Sequence, residues 1–212
     1  MLLDALEGDL EALRALRPTL GLEIGSGSGC VITFLSRILK PQLLACVATD
    51  VNPHATRATM RTGERNLVSV DPLLTNLFNG ISGCERRLFD VILFNPPYVP
   101  TEQLCPMAER PCRESVHKCT PPAFLEAAWA GGPDGRHWID QVMPRVDGML
   151  APRGFFYMIA LAANRPEELM EWARRDWGFN SKVALRRKAG IESLSVLKFW
   201  RDHHHPEGGE AP

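Results

Sequence analysis

Two short stretches carry residue types that could do chemistry. The first is "LEIGSGSGC" (22–30), in which Gly25, Gly27 and Gly29 alternate behind an apolar run. Glycine lets a backbone turn sharply and approach a ligand without a Cβ in the way, and the helix expected next offers unpaired N–H groups. Asp50 ends the following apolar run with Val51 beside it, roughly 20 residues on, the separation at which an acid grips the vicinal hydroxyls of a ribose. Its plainer role would be to start a helix before "VNP". A dinucleotide fingerprint wants Gly or Ala at position 30, where this chain has Cys30. Glu23, just before the loop, would repel a pyrophosphate and suits an amino group. Ribose plus ammonium describes S-adenosyl-L-methionine.

The second stretch is "FNPPYVP" (94–100). An apolar run ends in an amide, and two prolines follow. Proline fixes its own φ and restricts the residue before it. A proline turn that merely stops a strand would look the same. The sharper reading is that Asn95 is held at one place and angle because something is read or reacted there.

Both stretches need elements to position them. "LGLEIG" (20–25), "LLACVATD" (43–50), "LVSVDPLL" (67–74), "LFDVILFN" (88–95) and "GFFYMIA" (154–160) read as strands. Helices are expected over 31–39, over 52–66 with Asn52 as N-cap and Pro53 at the first helical position, near 136–150, and over 165–177. Continuous Val/Ile/Leu runs alternating with helices argue for a parallel sheet covered on both faces. Residues 181–200 read as two strands around a short turn, an antiparallel hairpin closing the sheet. "MLLDALEGDLEALRALRPTL" reads as one amphipathic helix stopped by Pro18.

Residues 99–124 are rich in Pro and Cys without periodicity and read as a long surface insertion beside the site. Cys105, Cys112 and Cys119 lie seven apart there near His117, but zinc sites use tighter cysteine pairs, so no metal is expected. Residues 201–212 read as a disordered tail after a single domain over 1–200.

The 212 residues suit one sizeable α/β domain, with no internal repeat. A net charge of −1 argues against nucleic-acid binding by the molecule as a whole; it would need a local basic patch. No stretch approaches the ~18 uncharged apolar residues of a membrane span. Acidic residues at the N-terminus are unlike a secretory or transit signal, so the expected location is the cytoplasm, or also the nucleus, with cysteines as reduced thiols.

Together "LEIGSGSG", "ATDVNP", "FNPPYV", "EAAWAGGPDGR", "LAPRGFFY" and "SVLKF" resemble the HemK-type class I methyltransferases. The eukaryotic branch, which methylates the glutamine of the GGQ motif in the translation release factor, is the one they resemble most. The resemblance runs over roughly residues 2 to 200, apart from the insertion. It implies an α/β, Rossmann-like fold: a mostly parallel seven-stranded sheet with an antiparallel last strand and helices on both faces. It implies that Glu23 and Gly25 line the methionine end of S-adenosyl-L-methionine, Asp50 the ribose, and Asn76 and Leu77 the adenine. Relatives usually carry Asp where this chain has Asn76, which implies altered cofactor affinity.

The resemblance further implies that Asn95-Pro96-Pro97-Tyr98 holds the nitrogen to be methylated. A planar amide or aryl amine is a poor nucleophile because its lone pair is delocalised. The Asn95 side-chain oxygen and the Pro96 carbonyl can grip its N–H bonds and aim that lone pair, with Tyr98 as an aromatic wall and Val99 beside it. Glutamine amide, adenine amine and deprotonated lysine all satisfy this logic, and the amide comes first by resemblance. Trp129 would wall the substrate pocket, and Gly131, Gly132 and Gly135 would permit close approach, although a glycine turn leading into a helix reads almost as well. A small zinc-ribbon methyltransferase activator protein is the implied heterodimer partner. The family's cofactor-covering segment ahead of the first helix has no match here, which implies another cover or a longer natural chain. A methyltransferase fold kept as a non-catalytic scaffold is the rival reading.

Overall fold

The computed structural model describes residues 1–79, 81, 87–103, 127–190 and 192–202. Most of the 99–124 insertion, including Cys105, Cys112, Cys119 and His117, and the tail beyond 202 lie outside the described residues.

The described elements run α1 (Leu2–Gly8), α2 (Leu10–Leu16), β1 (Leu20–Ile24), α3 (Cys30–Ile38), β2 (Ala45–Asp50), α4 (Pro53–Arg65), β3 (Val70–Leu74) and β4 (Phe89–Phe94). After the insertion come α5 (His137–Met149), β5 (Leu150–Leu161), α6 (Pro166–Trp177), β6 (Asn180–Ala189) and β7 (Glu192–Trp200). The strands form a seven-stranded sheet in the order β3-β2-β1-β4-β5-β7-β6. Only β7 runs against its neighbours, pairing antiparallel with β5 and β6.

The central strands are buried along nearly their whole length, as expected when helices cover both faces. On one face α5 and α6 pack Trp138, Ile139, Val142, Met143 and Leu169 onto Leu22, Ile24, Ile92 and Phe94. On the other, α1 to α3 pack Leu6, Leu13, Ile32 and Leu35 onto Ala48, Val91, Leu93 and Tyr157. Local signals end the helices. Asn52 caps α4 by accepting from the His54 N–H at 2.9 Å, and Gly178 closes α6 in the left-handed conformation.

Besides β2 and β3, which begin two and three residues later than read, at Ala45 and Val70, two boundaries differ from the sequence reading in an informative way. The N-terminal helix is two helices, broken at Asp9, whose carboxylate turns inward to Lys198 at 2.7 Å, Lys182 at 3.0 Å and the Tyr157 hydroxyl at 2.9 Å. β5 begins at Leu150, ahead of Gly154, by pairing Leu150 with Phe89 before a register shift. Pro152 sits in that irregular stretch, where a missing ladder donor costs little.

Candidate active site

Successive strands run outward in one direction from β1 to β3 and in the other from β4 to β5, so the order reverses between β1 and β4. In an open α/β sheet the ligand crevice lies outside the carboxyl ends of the strands at such a reversal. Register fixes what meets there. Ile24 pairs with Thr49 of β2 and with Phe94 of β4. One residue further, Gly25 therefore lies level with Asp50 on one side and Asn95 on the other.

These residues line one cavity of about 340 Å³, with Glu23, Gly27, Val51, Asn76, Leu77 and Pro97 also in its wall. Gly25 and Gly27 hold φ of 64° and 53°, and a Cβ on either would project into open space. The loop thus forms a cradle whose only obstacle to a ligand would be a side chain. Gly29 is different: at φ 72° its added Cβ would lie 2.7 Å from the Thr59 Cα. Gly29 lets α3 press against α4 and is not part of the cavity wall.

The acid of β2 fastens this loop from behind. Asp50 Oδ2 accepts from the Gly27 N–H at 2.9 Å, and Oδ1 accepts from the Asn52 N–H at 2.8 Å. Helix initiation, the plainer role available to Asp50, falls to Asn52. The Thr75 N–H donates to the Asp50 carbonyl at 2.9 Å, which ties the end of β3, and with it Asn76 and Leu77, to the same point. Burial raises the Asp50 carboxyl above its ordinary value, while the N–H groups of Asn52, Gly27 and Val51 pull it back.

Glu23 is only 3% exposed. Its Oε2 accepts from the Ile32 N–H at 3.0 Å in the first turn of α3. Burial pushes its carboxyl up to about 8, opposed by the Ile32 N–H and helped by the negative charge of Asp50. Such an acid is mostly neutral at neutral pH until a cation enters beside it.

Asn95 is exposed, Pro96 buried, and Pro97, Tyr98 and Val99 half-buried. Asn95 and Pro97 reach the cavity wall; Pro96, Tyr98, Val99 and Trp129 do not. Tyr98 packs instead against the core under α1 and α3. The segment is braced along its length. Val99 N–H donates to the Trp129 carbonyl at 3.0 Å, and Gly131 N–H to the Val99 carbonyl at 2.8 Å. The wholly buried Asn164 donates to the Tyr98 and Asp134 carbonyls at 2.9 and 2.8 Å. A Cβ on Gly135 would fall on the Tyr98 carbonyl oxygen, and one on Gly131 would come within 2.6 Å of the Pro97 carbonyl oxygen. The glycines of "AGGPDG" therefore permit approach to the Asn95 segment, and the Trp129 segment serves it through backbone, with its indole 44% exposed.

Sequence reasoning missed Phe94, Ala127, Ala128 and Trp138 in the cavity wall, and Asn164 behind it. Trp138 opens α5 after the glycine turn, a position read only as a helix start. Asn164 lies in a turn after β5 with no pattern to mark it.

No family model matches the chain. It is 39% identical over 199 residues to the human protein named methyltransferase HEMK2, covering 94% of this chain and 85% of that one. It is 37% identical over 214 residues to the catalytic subunit mtq2 of the eRF1 methyltransferase of Schizosaccharomyces pombe, with the same coverage of each. Among solved structures it matches the E. cuniculi Mtq2–Trm112 complex, described as methylating the termination factor eRF1. That match has a TM-score of 0.64 at 23% identity and covers 95% of this chain and 93% of the other. A T. thermophilus 16S rRNA N2 G1207 methyltransferase bound to AdoMet and guanosine matches at TM-score 0.60 and 18% identity, over 95% of this chain and 42% of the other. These structural likenesses carry the class I methyltransferase fold. The likeness to the human and fission-yeast proteins, over most of their length, carries more: this chain belongs to the HemK family of release-factor glutamine methyltransferases.

Proposed function

We propose that this chain transfers a methyl group from S-adenosyl-L-methionine to the side-chain nitrogen of the GGQ-motif glutamine in a eukaryotic translation release factor. In this reading it acts in the cytoplasm as a heterodimer with a small zinc-ribbon activator. The observation that carries the proposal is the placement of exposed Asn95 in the wall of the cavity that also holds Glu23 and Asp50. The family relationship supplies the substrate: the fission-yeast relative is named for eRF1.

The residues present fit the cofactor. Gly25 and Gly27 leave open the space a Cβ would fill. Glu23 suits the ammonium at the amino-acid end. Asp50 keeps lone pairs for a ribose diol beyond those that accept from Gly27 and Asn52. When bound, the cofactor supplies an electrophilic methyl carbon on a sulfonium. The chain's own contribution is orientation. Asn95, which reaches the cavity wall, accepts an N–H of the glutamine amide through Oδ1 and helps turn its lone pair out of conjugation; Pro96, which does not reach that wall, restricts the backbone of Asn95. The same oxygen stabilises the positive charge that develops on nitrogen. Burial of Pro96, together with the Trp129 and Asn164 braces, fixes this acceptor before substrate arrives, so little ordering remains for the reaction step.

For the activator, support comes from the sheet's outer edge. β3 is an end strand. Leu43 and Leu67, which precede β2 and β3, are 87 and 82% exposed, with Met60 and Leu73 exposed nearby in sequence on α4 and β3. An end strand with no further strand paired to it among the described residues, and with exposed leucines near it in sequence, is a ready template for a partner. The solved relative is a complex with Trm112.

Incubating a GGQ peptide with the chain, the activator and cofactor, then weighing it by mass spectrometry, tests the proposal. A methyl group on the glutamine, absent with Asn95→Ala, is expected. An unmodified glutamine in the complete mixture would remove it.

A further inference from the structure

At the opposite end of the sheet lies a second groove of about 450 Å³, between α2 and the strands β5, β7 and β6. The ladder sets its floor. Tyr157, Lys198 and Lys182 stand side by side in one row, since Tyr157 pairs with Lys198 and Lys198 with Lys182. Two residues along each strand, on the same face, Phe155 comes level with Trp200. Arg153 follows at the rim.

The charge of this groove does not balance. Lys182 and Lys198 share one carboxylate, Asp9, at 3.0 and 2.7 Å, which leaves a surplus positive charge. Lys198 is 4% exposed, and its ammonium lies 3.6 Å from the centre of the Phe155 ring. Arg153 is exposed and, among the described residues, bridges no carboxylate. Arg201 is held by Asp147 and adds little. Asp202 is the single acid among the lining residues.

A surplus of cations interleaved with aromatic rings is the arrangement that tracks phosphates and stacks bases. Net charge argued only against binding by the molecule as a whole and left a local basic patch open, and here is one. We propose that this groove is a second, non-catalytic binding site for a nucleoside phosphate, with its phosphate on Arg153 and Lys182 and its base over Trp200. An acidic peptide would use the cations but gain nothing from the half-buried indole. The site is independent of the methyl-transfer cavity, and its test does not depend on that reaction.

Fluorescence anisotropy with a labelled single-stranded oligoadenylate, and competition by AMP, provide the test on the full chain. The double variant Arg153→Glu/Lys182→Glu should weaken oligoadenylate at least about tenfold and flatten the slope of log affinity against log salt by roughly 0.7 per lost phosphate contact. Trp200→Leu should weaken AMP but not inorganic phosphate, and thermal unfolding would confirm that both variants fold. Competition by AMP as strong as by the oligomer marks a free nucleotide as the ligand, and preference for the oligomer marks an RNA strand. Either result supports the site. No binding by the wild type, unchanged affinity in the charge-reversed variant, or equal competition by a polyglutamate peptide would overturn it.

Discussion

Replacing Glu23 by glutamine should make the empty protein more stable and its ligand binding weaker, each in a pH-dependent way. Glu23 is buried, and its carboxyl lies at about 8 against an unfolded value of 4.5. A folded pKa above the unfolded one means that the neutral buried form contributes fully below about pH 4.5, and that this contribution is lost as pH rises to about 8. At about 1.36 kcal/mol per unit, the gap of roughly 3.5 units costs on the order of 5 kcal/mol above pH 8 and about 3 kcal/mol at pH 7. The amide oxygen introduced by Glu23→Gln would still accept from the Ile32 N–H and would carry no charge, so the variant avoids this loss.

Urea denaturation at a series of pH values reads the difference directly. The variant and wild type should coincide near pH 4.5 and diverge by up to about 1.4 kcal/mol per pH unit until about pH 8. Binding should show the converse. An ammonium-bearing ligand such as S-adenosylhomocysteine favours ionised Glu23, so wild-type affinity should climb up to about tenfold per pH unit below 8 and then level off. The variant's affinity should be lower and nearly flat. A stability offset that stays constant across this range, or parallel pH profiles of binding, would refute the assignment of Glu23 as a buried acid awaiting a cation.

Asn95→Ala should lower the rate of glutamine methylation by about 10²–10³ while calorimetric affinity for S-adenosylhomocysteine moves only a few-fold, because the proposed function has this amide act on the methyl acceptor. Gly25→Ala should cost about 1 kcal/mol for its positive φ and weaken cofactor binding strongly, since its Cβ enters the cavity. Gly135→Ala should destabilise by more than about 2 kcal/mol in chemical denaturation, because its Cβ falls on the Tyr98 carbonyl. Asn76→Asp should tighten binding of an adenosyl ligand in the same calorimetric measurement, and unchanged affinity would remove position 76 from the adenine site.

Much of this was legible in the chain because the signals were local. Strand ends, the Asn52 cap and the glycine loop are each specified within a few residues. The parallel sheet and the reversed strand were legible in the alternation of elements and the C-terminal hairpin, whereas the order of the strands was not. What escaped reading were contacts set by distant register. Asp9 breaks the first helix because Lys182 and Lys198 arrive from β6 and β7, more than 170 residues away. Gly29 and Gly135 look like ligand glycines, yet the first faces Thr59 and the second Tyr98. Trp138 shares the cavity wall with Phe94 and Leu77, residues far from it in the chain that the fold gathers into one apolar cluster. No pattern along the sequence distinguishes a glycine that admits a ligand from one that admits a neighbouring strand; the neighbour has to be known.

That distinction orders the whole site. Its parts divide into atoms that face the cavity and atoms that hold those parts from behind, and the two sets use different chemistry. The holding is done by backbone carbonyls and N–H groups: Gly27 N–H on Asp50, Val99 N–H on the Trp129 carbonyl, the Tyr98 carbonyl on Asn164. Main-chain groups cannot swing away as side chains do: the Gly27 and Asn52 N–H groups fix both Asp50 oxygens and leave each a further lone pair, and Asn95 enters the cavity wall from a braced backbone. Glu23 is the exception, since its burial destabilises the protein while the cavity is empty. On the proposed function, an ammonium entering beside it would relieve that destabilisation and so tie ligand affinity to an electrostatic penalty already present in the fold. A site built this way gives up stability where it must recognise charge and keeps rigidity where it must set an angle.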